Sequence, residues 1–287
     1  MNGITKGALA GALLPLPALA AEPELVWETS GFSAPESALY DQERDVLYVS
    51  NVAGNPTDKD GQGFISRVSP DGEITEAEWV GGLDAPKGLA LSGDTLYVAD
   101  IDQLLAIDVE SGEVRARHQG QGAQFLNDVT ADERGRVYVS DMMANAIWRL
   151  DGDTFEIWLE DEALASPNGL LAEEDRIVVG SWGVMTDGFA TKEPGHLQAV
   201  DLETQEISSI GDGTPVGNLD GVETIGDGSY LVTDWMAGAL LRIDASGEVE
   251  QLLDLNQGSA DLGWRADERL AIMPMMNDDT LVAYRIE

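Results

Sequence analysis

The chain has no cysteine in its 287 residues. Disulfides, thiol nucleophiles and thiolate metal sites are therefore excluded, and stability must come from a sizeable packed core. Cations are scarce: 16 Lys and Arg stand against 53 Asp and Glu, for a formal net charge of −37. A surface of that sign repels phosphate backbones, which excludes nucleic acid as a partner. It suits a protein working in high salt, where screening relieves self-repulsion. Histidine occurs only at His118 and His196, and no G-x-S-x-G elbow is present. Serine-hydrolase chemistry is accordingly not expected.

Long apolar runs are missing except at the start. "MNGITKGALAGALLPLPALAAEPE" joins one Lys to small and apolar residues and carries Ala18-Leu19-Ala20 before Ala21. The pattern predicts a secretory signal peptide over 1–21, cut near Ala20 or Ala21. A membrane-spanning helix needs about 20 apolar residues; this run is shorter and holds Pro15 and Pro17. The expectation is a periplasmic or secreted chain, with residues 22–287 forming one domain and no membrane span.

What fills that domain is a repeat. "PESALYDQERDVLYVSN" (35–51), "PKGLALSGDTLYVAD" (86–100), "LNDVTADERGRVYVSD" (126–141), "PNGLLAEEDRIVVGSW" (167–182), "LDGVETIGDGSYLVTDW" (219–235) and "ADLGWRADERLAIMPM" (260–275) align on their strand-like runs. Each has a short strand, an Asp- and Gly-rich turn and a β-branched or aromatic strand. Third and fourth apolar runs such as "ANAIWRLD" and "TFEIWLE" follow in most units. A period near 40 residues with four antiparallel strands per unit predicts an all-β, six-bladed β-propeller. The sixth unit runs out of chain one strand short, and "PELVWETSG" (23–31) is spare, so the N-terminal strand is expected to close the last blade.

The innermost strand of a propeller blade faces the axis, so the residues heading the units should form a ring at one mouth of the channel. They are Glu36, Lys87, Asn127, Asn168, Asp220 and Asp261. Buried polar groups need partners, so this ring predicts either a bound ion or a water-filled plug in which Lys87 bridges two carboxylates. The formal charge of −2 and the all-oxygen ligand types suit one hard divalent cation, Ca2+ or Mg2+. Residues ending the second strands should share the mouth: Asn51, Asp100, Asp141, Trp182, Trp235 and Pro274. Among these, Asp141 is a candidate substrate contact, while Trp182 and Trp235 suit either apolar walls for a ligand or packing between blades. The insertions at 51–63 and 183–195 leave from the same face and are candidate lids.

"APESALYD", "FLNDVTAD", "SPNGLL" and "NLDGVE", in that order and each heading a unit, resemble motifs of the SMP-30/gluconolactonase/LRE-like family of six-bladed propellers. The resemblance covers nearly all of residues 22–287. It implies a divalent cation held by Glu36, Asn168 and Asp220, most often Ca2+ but also Mg2+, Mn2+ or Zn2+. It also implies Asn127 beside the ion or substrate, and Asp220 as general base. Asp128 is a second candidate for the proton transfer. The implied activity is hydrolysis of a small-molecule lactone or related ester. Two departures stand out: "QGAQFLND" lacks the family's arginine ahead of the Asn-Asp pair, and Lys87 introduces a cation in the second blade. The alternative reading is a non-catalytic exported propeller that binds a ligand or protein through the same face.

Overall fold

In the computed structural model, which describes residues 22–287, the expected six four-stranded antiparallel sheets are arranged as blades. The expected leader, 1–21, lies outside the described residues. Five blades are meanders, the fourth interrupted after its second strand by a two-stranded hairpin, and they begin with innermost strands Pro35–Asp41, Pro86–Ser92, Leu126–Ala131, Pro167–Ala172 and Leu219–Thr224. The sixth runs from Gly263–Arg265 through Leu270–Met275 and Thr280–Arg285 to Glu24–Ser30 as its outer strand. The N-terminal strand thus pairs with the C-terminal one, Glu28 opposite Val282, and the ring is closed by backbone hydrogen bonds.

Among the described residues the core falls into eight apolar clusters, six of them lying one between each pair of neighbouring blades and two smaller ones, around Val52 and around Phe125, Met142 and Trp182, outside those interfaces. The period-2 alternation of each strand sends one row of side chains toward each neighbour, so every blade contributes to two clusters. Leu47, Leu96, Val139, Val178 and Ile272 are all fully buried in this way. Each such side chain contributes about 1.5–3 kcal/mol relative to exposure. Among the described residues no helix is long and apolar enough to cross a membrane.

One local irregularity recurs at the axis. The pairing of first and second strands slips between Pro35 and Ala38, Pro86 and Leu89, Leu126 and Val129, Pro167 and Leu170, and Leu219 and Val222. These are β-bulges, which free two residues from the ladder and re-aim their side chains. The amide freed by the bulge takes a hydroxyl from the second strand in three blades: Ser37 N–H donates to Ser50, Asp128 N–H to Ser140, and Gly221 N–H to Thr233, each at 2.9 Å. Two channel layers result, the head residues above and their successors below. Successors in three blades are glycines because the axis is crowded: a Cβ on Gly169 would lie 1.8 Å from the Asp220 carbonyl oxygen.

The sixth blade corrects the expected ring. Ser259 bridges Met275 as Pro35 bridges Asn51, which puts Ala260 in the head position and Asp261 in the layer below. Asp261 pairs there with Ser37, donating its N–H to the Glu36 carbonyl at 2.9 Å and accepting from the Ser37 hydroxyl at 2.6 Å. The upper ring is therefore Glu36, Lys87, Asn127, Asn168, Asp220 and Ala260.

Candidate active site

A cavity of about 280 Å³ opens at the upper mouth, and its floor is made by the five polar head residues. Glu36, Lys87, Asn127, Asn168 and Asp220 are each at most 6 % exposed. They come from five blades and span 185 residues of chain, from 36 to 220.

The floor is ordered by its own hydrogen bonds. Asn168 Nδ2 donates to the Leu219 carbonyl at 3.1 Å, which orients its amide and leaves Oδ1 to accept from Asn127 Nδ2. The Asn127 amide is thereby oriented as well, with Oδ1 buried and without a hydrogen-bond partner. Glu36 Oε2 is buried and unpartnered too. Lys87 Nζ donates to the Ala85 carbonyl at 2.9 Å and lies 4.6 Å from the centre of the Phe125 ring.

Electrostatics follow from burial. Desolvation, then the charges of Asp220 and Asp261, push the Glu36 carboxyl well above the usual carboxylate range, with Lys87 opposing. Asp220 is pushed up by desolvation and by Asp261, while its hydrogen bond with Asn168 pulls the other way. Burial lowers the Lys87 ammonium to about 8, with Glu36 and Asp100 resisting.

Unpaired buried oxygens and raised carboxyls mark a place where positive charge is missing. Carboxylate and amide oxygens are the donor set of a hard divalent ion. Among the described residues no three Asp, Glu or His side chains are grouped to hold a metal by themselves. Any ion here therefore needs the amides as well as Glu36 and Asp220, and the residues present fit that requirement.

Above the floor the walls are apolar apart from Asn277. The residue one past the end of the second strand closes over the cavity in five blades: Val52, Met142, Trp182, Trp235 and Met276. Trp182 and Trp235 both line the cavity, with ring centres 6.0 Å apart. Both insertions contribute, through Pro56 and Phe189. Phe189 sits in the connection between the short strands Gly183–Met185 and Thr191–Pro194, its carbonyl accepting from Trp182 Nε1 at 2.9 Å. Phe125, Phe189, Met142 and Met276 were missed by sequence reasoning. Met142 and Met276 had a signal in the apolar residue that directly follows the second strand in most units; Phe125, just ahead of a first strand, and Phe189, inside an insertion, had none.

Two expected site residues are engaged elsewhere. Asp141 is fully buried and accepts from the backbone N–H groups of Gln124 and Phe125 at 2.9 Å, and from Trp148 Nε1. It clamps the loop that enters blade three and does not line the cavity. Asp100 does the same for Asp84 and Ala85. Asp128, in the lower layer, accepts from Val129 N–H and from Leu170 N–H of the next blade, both at 2.6 Å. It lines a smaller cavity of about 180 Å³ at the opposite end of the channel, with Asp261 and Glu223. The geometry assigns it no proton transfer in the upper cavity.

The family profile described as SMP-30/Gluconolactonase/LRE-like region matches residues 34–260. No curated protein matches the chain in sequence. Among solved structures, a gluconolactonase from Xanthomonas campestris is similar with a TM-score of 0.69 and 12% identity, covering 95% of this chain and 97% of that one. Virginiamycin B lyase from Staphylococcus aureus superimposes with a TM-score of 0.64 at 13% identity, over 93% of this chain and 100% of that one. The catalytically inactive histidine-to-alanine variant of that lyase, with quinupristin, gives a TM-score of 0.61 at 13% identity over the same shares. Identities this low speak for the fold alone.

Proposed function

The chain belongs to the SMP-30/gluconolactonase/LRE-like family, and from that premise we propose a metal-dependent hydrolase that opens a lactone or related ester. One observation carries the reading. Side-chain oxygens of Glu36, Asn127, Asn168 and Asp220 arrive from four blades at the floor of one cavity, two of them buried without a partner.

Held by Glu36, Asn168 and Asp220, a divalent cation, Ca2+ first, would supply Lewis acidity toward the scissile carbonyl. The protein's own groups do the rest. Asp220 takes the proton of the attacking water at a carboxylate oxygen. Its carboxyl, raised by burial and Asp261, holds a proton more strongly than a surface aspartate, as a base working near neutral pH must. The bond from Asn127 Nδ2 to Asn168 Oδ1, with Asn168 fixed in turn on the Leu219 carbonyl, leaves the Asn127 amide oxygen without a protein partner and available on the floor. Lys87, anchored at Ala85, has N–H capacity left for negative charge developing on the substrate. The apolar walls limit water to what the floor orients.

The lyase is described as inactive once a histidine is replaced. Neither His118 nor His196 lines this cavity, which favours hydrolysis over lyase chemistry here. Export belongs to the same proposal and predicts a mature N-terminus near Glu22. The test is turnover of a lactone and ester panel before and after chelation, with re-addition of Ca2+, Mg2+, Mn2+ or Zn2+, beside Asp220→Asn. Hydrolysis indifferent to both chelation and the substitution overturns the proposal.

A further inference from the structure

From the composition of the cavity we infer that its substrate is a neutral lactone or ester carrying an apolar ring, and not a polyhydroxylated sugar lactone. This rests on the hydrolase reading for the bond that is broken, and on the walls for what surrounds that bond.

The cavity divides sharply by height. Polar head residues occupy the floor, and the lining above them is apolar, with Val52, Phe125, Met142, Trp182, Phe189 and Trp235, except for Asn277. The aromatic members touch one another: Phe125 and Phe189 at 5.6 Å between ring centres, Trp182 and Phe189 at 6.2 Å, nearly perpendicular. Tilted and edge-on contacts of this kind leave ring faces and edges for another flat ring to join.

A sugar lactone presents a hydroxyl on most carbons, and each one desolvated without a partner costs about 1–3 kcal/mol. Few donors remain to meet them. Asn127 Nδ2 is committed to Asn168 and the Met142 sulfur, Asn168 Nδ2 to Leu219 and Asp220, and Trp182 Nε1 to Phe189, while Asn277 Nδ2 gives one N–H to the Gln257 carbonyl. Lys87 has spent one N–H on Ala85 and faces the Phe125 ring with its charge. The sixth head position, Ala260, brings no polar side chain to the floor. An apolar ring meets no such penalty and gains about 25 cal/mol for each Å² it buries. The volume of about 280 Å³ lies at the lower edge of the roughly 300–1,000 Å³ usual for small-molecule sites. It suits one fused bicycle, not an extended chain.

Phe189 completes the enclosure from outside. It is 36 % exposed, on a hairpin that leaves the blade, and is held to the wall by its carbonyl and by two aromatic contacts. Its removal therefore opens the cavity without disturbing an inter-blade core.

The experiment measures binding of two unreactive probes to the calcium-loaded protein: a benzo-fused δ-lactam and glucono-δ-lactam. Calorimetry, with quenching of Trp182 and Trp235 fluorescence, gives both affinities. The expected result is at least tenfold tighter binding of the benzo-fused probe. Phe189→Ala and Trp182→Phe should each weaken it severalfold or more and leave the sugar lactam unaffected. Equal or tighter binding of the sugar lactam, or binding of neither probe, overturns the inference. The hydrolase reading fails separately: tight aromatic binding with no turnover of the matching benzo-fused lactone sustains the substrate class and defeats the chemistry. Chelator-sensitive turnover confined to sugar lactones does the reverse.

Discussion

The two ends of the central channel carry similar carboxylate inventories and opposite chemistry. At the upper end Glu36 and Asp220 sit under apolar walls, and Glu36 Oε2 has no partner. At the lower end Asp128 and Asp261 line a second cavity with Glu223, yet Asp128 accepts two backbone N–H groups and Asp261 the Ser37 hydroxyl. A buried carboxylate saturated by backbone donors is part of the fold; one left without donors is waiting for a cation or a proton. The comparison teaches that counting acids near an axis identifies no site until their hydrogen bonds are counted too.

The largest expected effect is at the upper end. Asp220→Asn should lower turnover by about 10²–10⁴-fold, the range for loss of a general base, and weaken divalent-cation binding in calorimetry, with little loss of stability once metal is removed. A variant that retains both turnover and cation affinity would erase the distinction between the ends. Asp128→Ala should behave in the opposite way. It strands the buried amides of Val129 and Leu170, at about 1–3 kcal/mol for each donor left unsatisfied. Denaturant unfolding should show that cost, while the folded fraction keeps its affinity for the cation.

Lys87→Met should follow in size. It removes the one cation among the head residues while keeping the length of the side chain. Ca2+ affinity should rise about tenfold from relief of charge repulsion, and turnover should fall if Lys87 assists the substrate. Unchanged affinity in a titration would mean that Lys87 does not share the field of Glu36.

The smallest effect is on pH dependence. Burial raises Asp261 from 3.8 to about 7, and burial with Asp261 raises Glu223 from 4.5 to about 8. A raised carboxyl binds its proton more tightly in the folded than in the unfolded chain. Its stabilising contribution is thus complete below the unfolded pKa and is lost as pH climbs through the folded one. Chelated protein should therefore melt at progressively lower temperature from about pH 5 to about pH 8. Both side chains are only half-buried, so the slope should be shallow. Asp261→Asn should flatten it. Added divalent cation, acting at the upper end, should leave the contribution of Glu223 in place; a profile abolished by the cation would show that the two ends titrate as one.

Much of this architecture could be read from the chain before folding. The 40-residue period announced six blades, and the spare segment at 23–31 announced the closing strand. Five of six head residues were placed correctly because the bulge recurs at the same step in each unit. The sixth slipped by one residue, since Asp261 resembles a ring residue more than Ala260 does, and only the pairing of Ser259 with Met275 reveals the register. Asp141 and Asp128 were misjudged for a related reason. A carboxylate ending or heading a strand looks the same whether it clamps a loop or faces a ligand.

Taken alone, the order of amino acids determined the blade number and five of the six ring heads, and its lack of cysteine excluded thiol chemistry, because these depend on periodicity and residue type. Tertiary structure alone decided which oxygens remain unpartnered, and that Phe125, Trp182 and Phe189 close over them. Those properties depend on amides and rings contributed by other blades, tens of residues away, and no local pattern encodes that meeting.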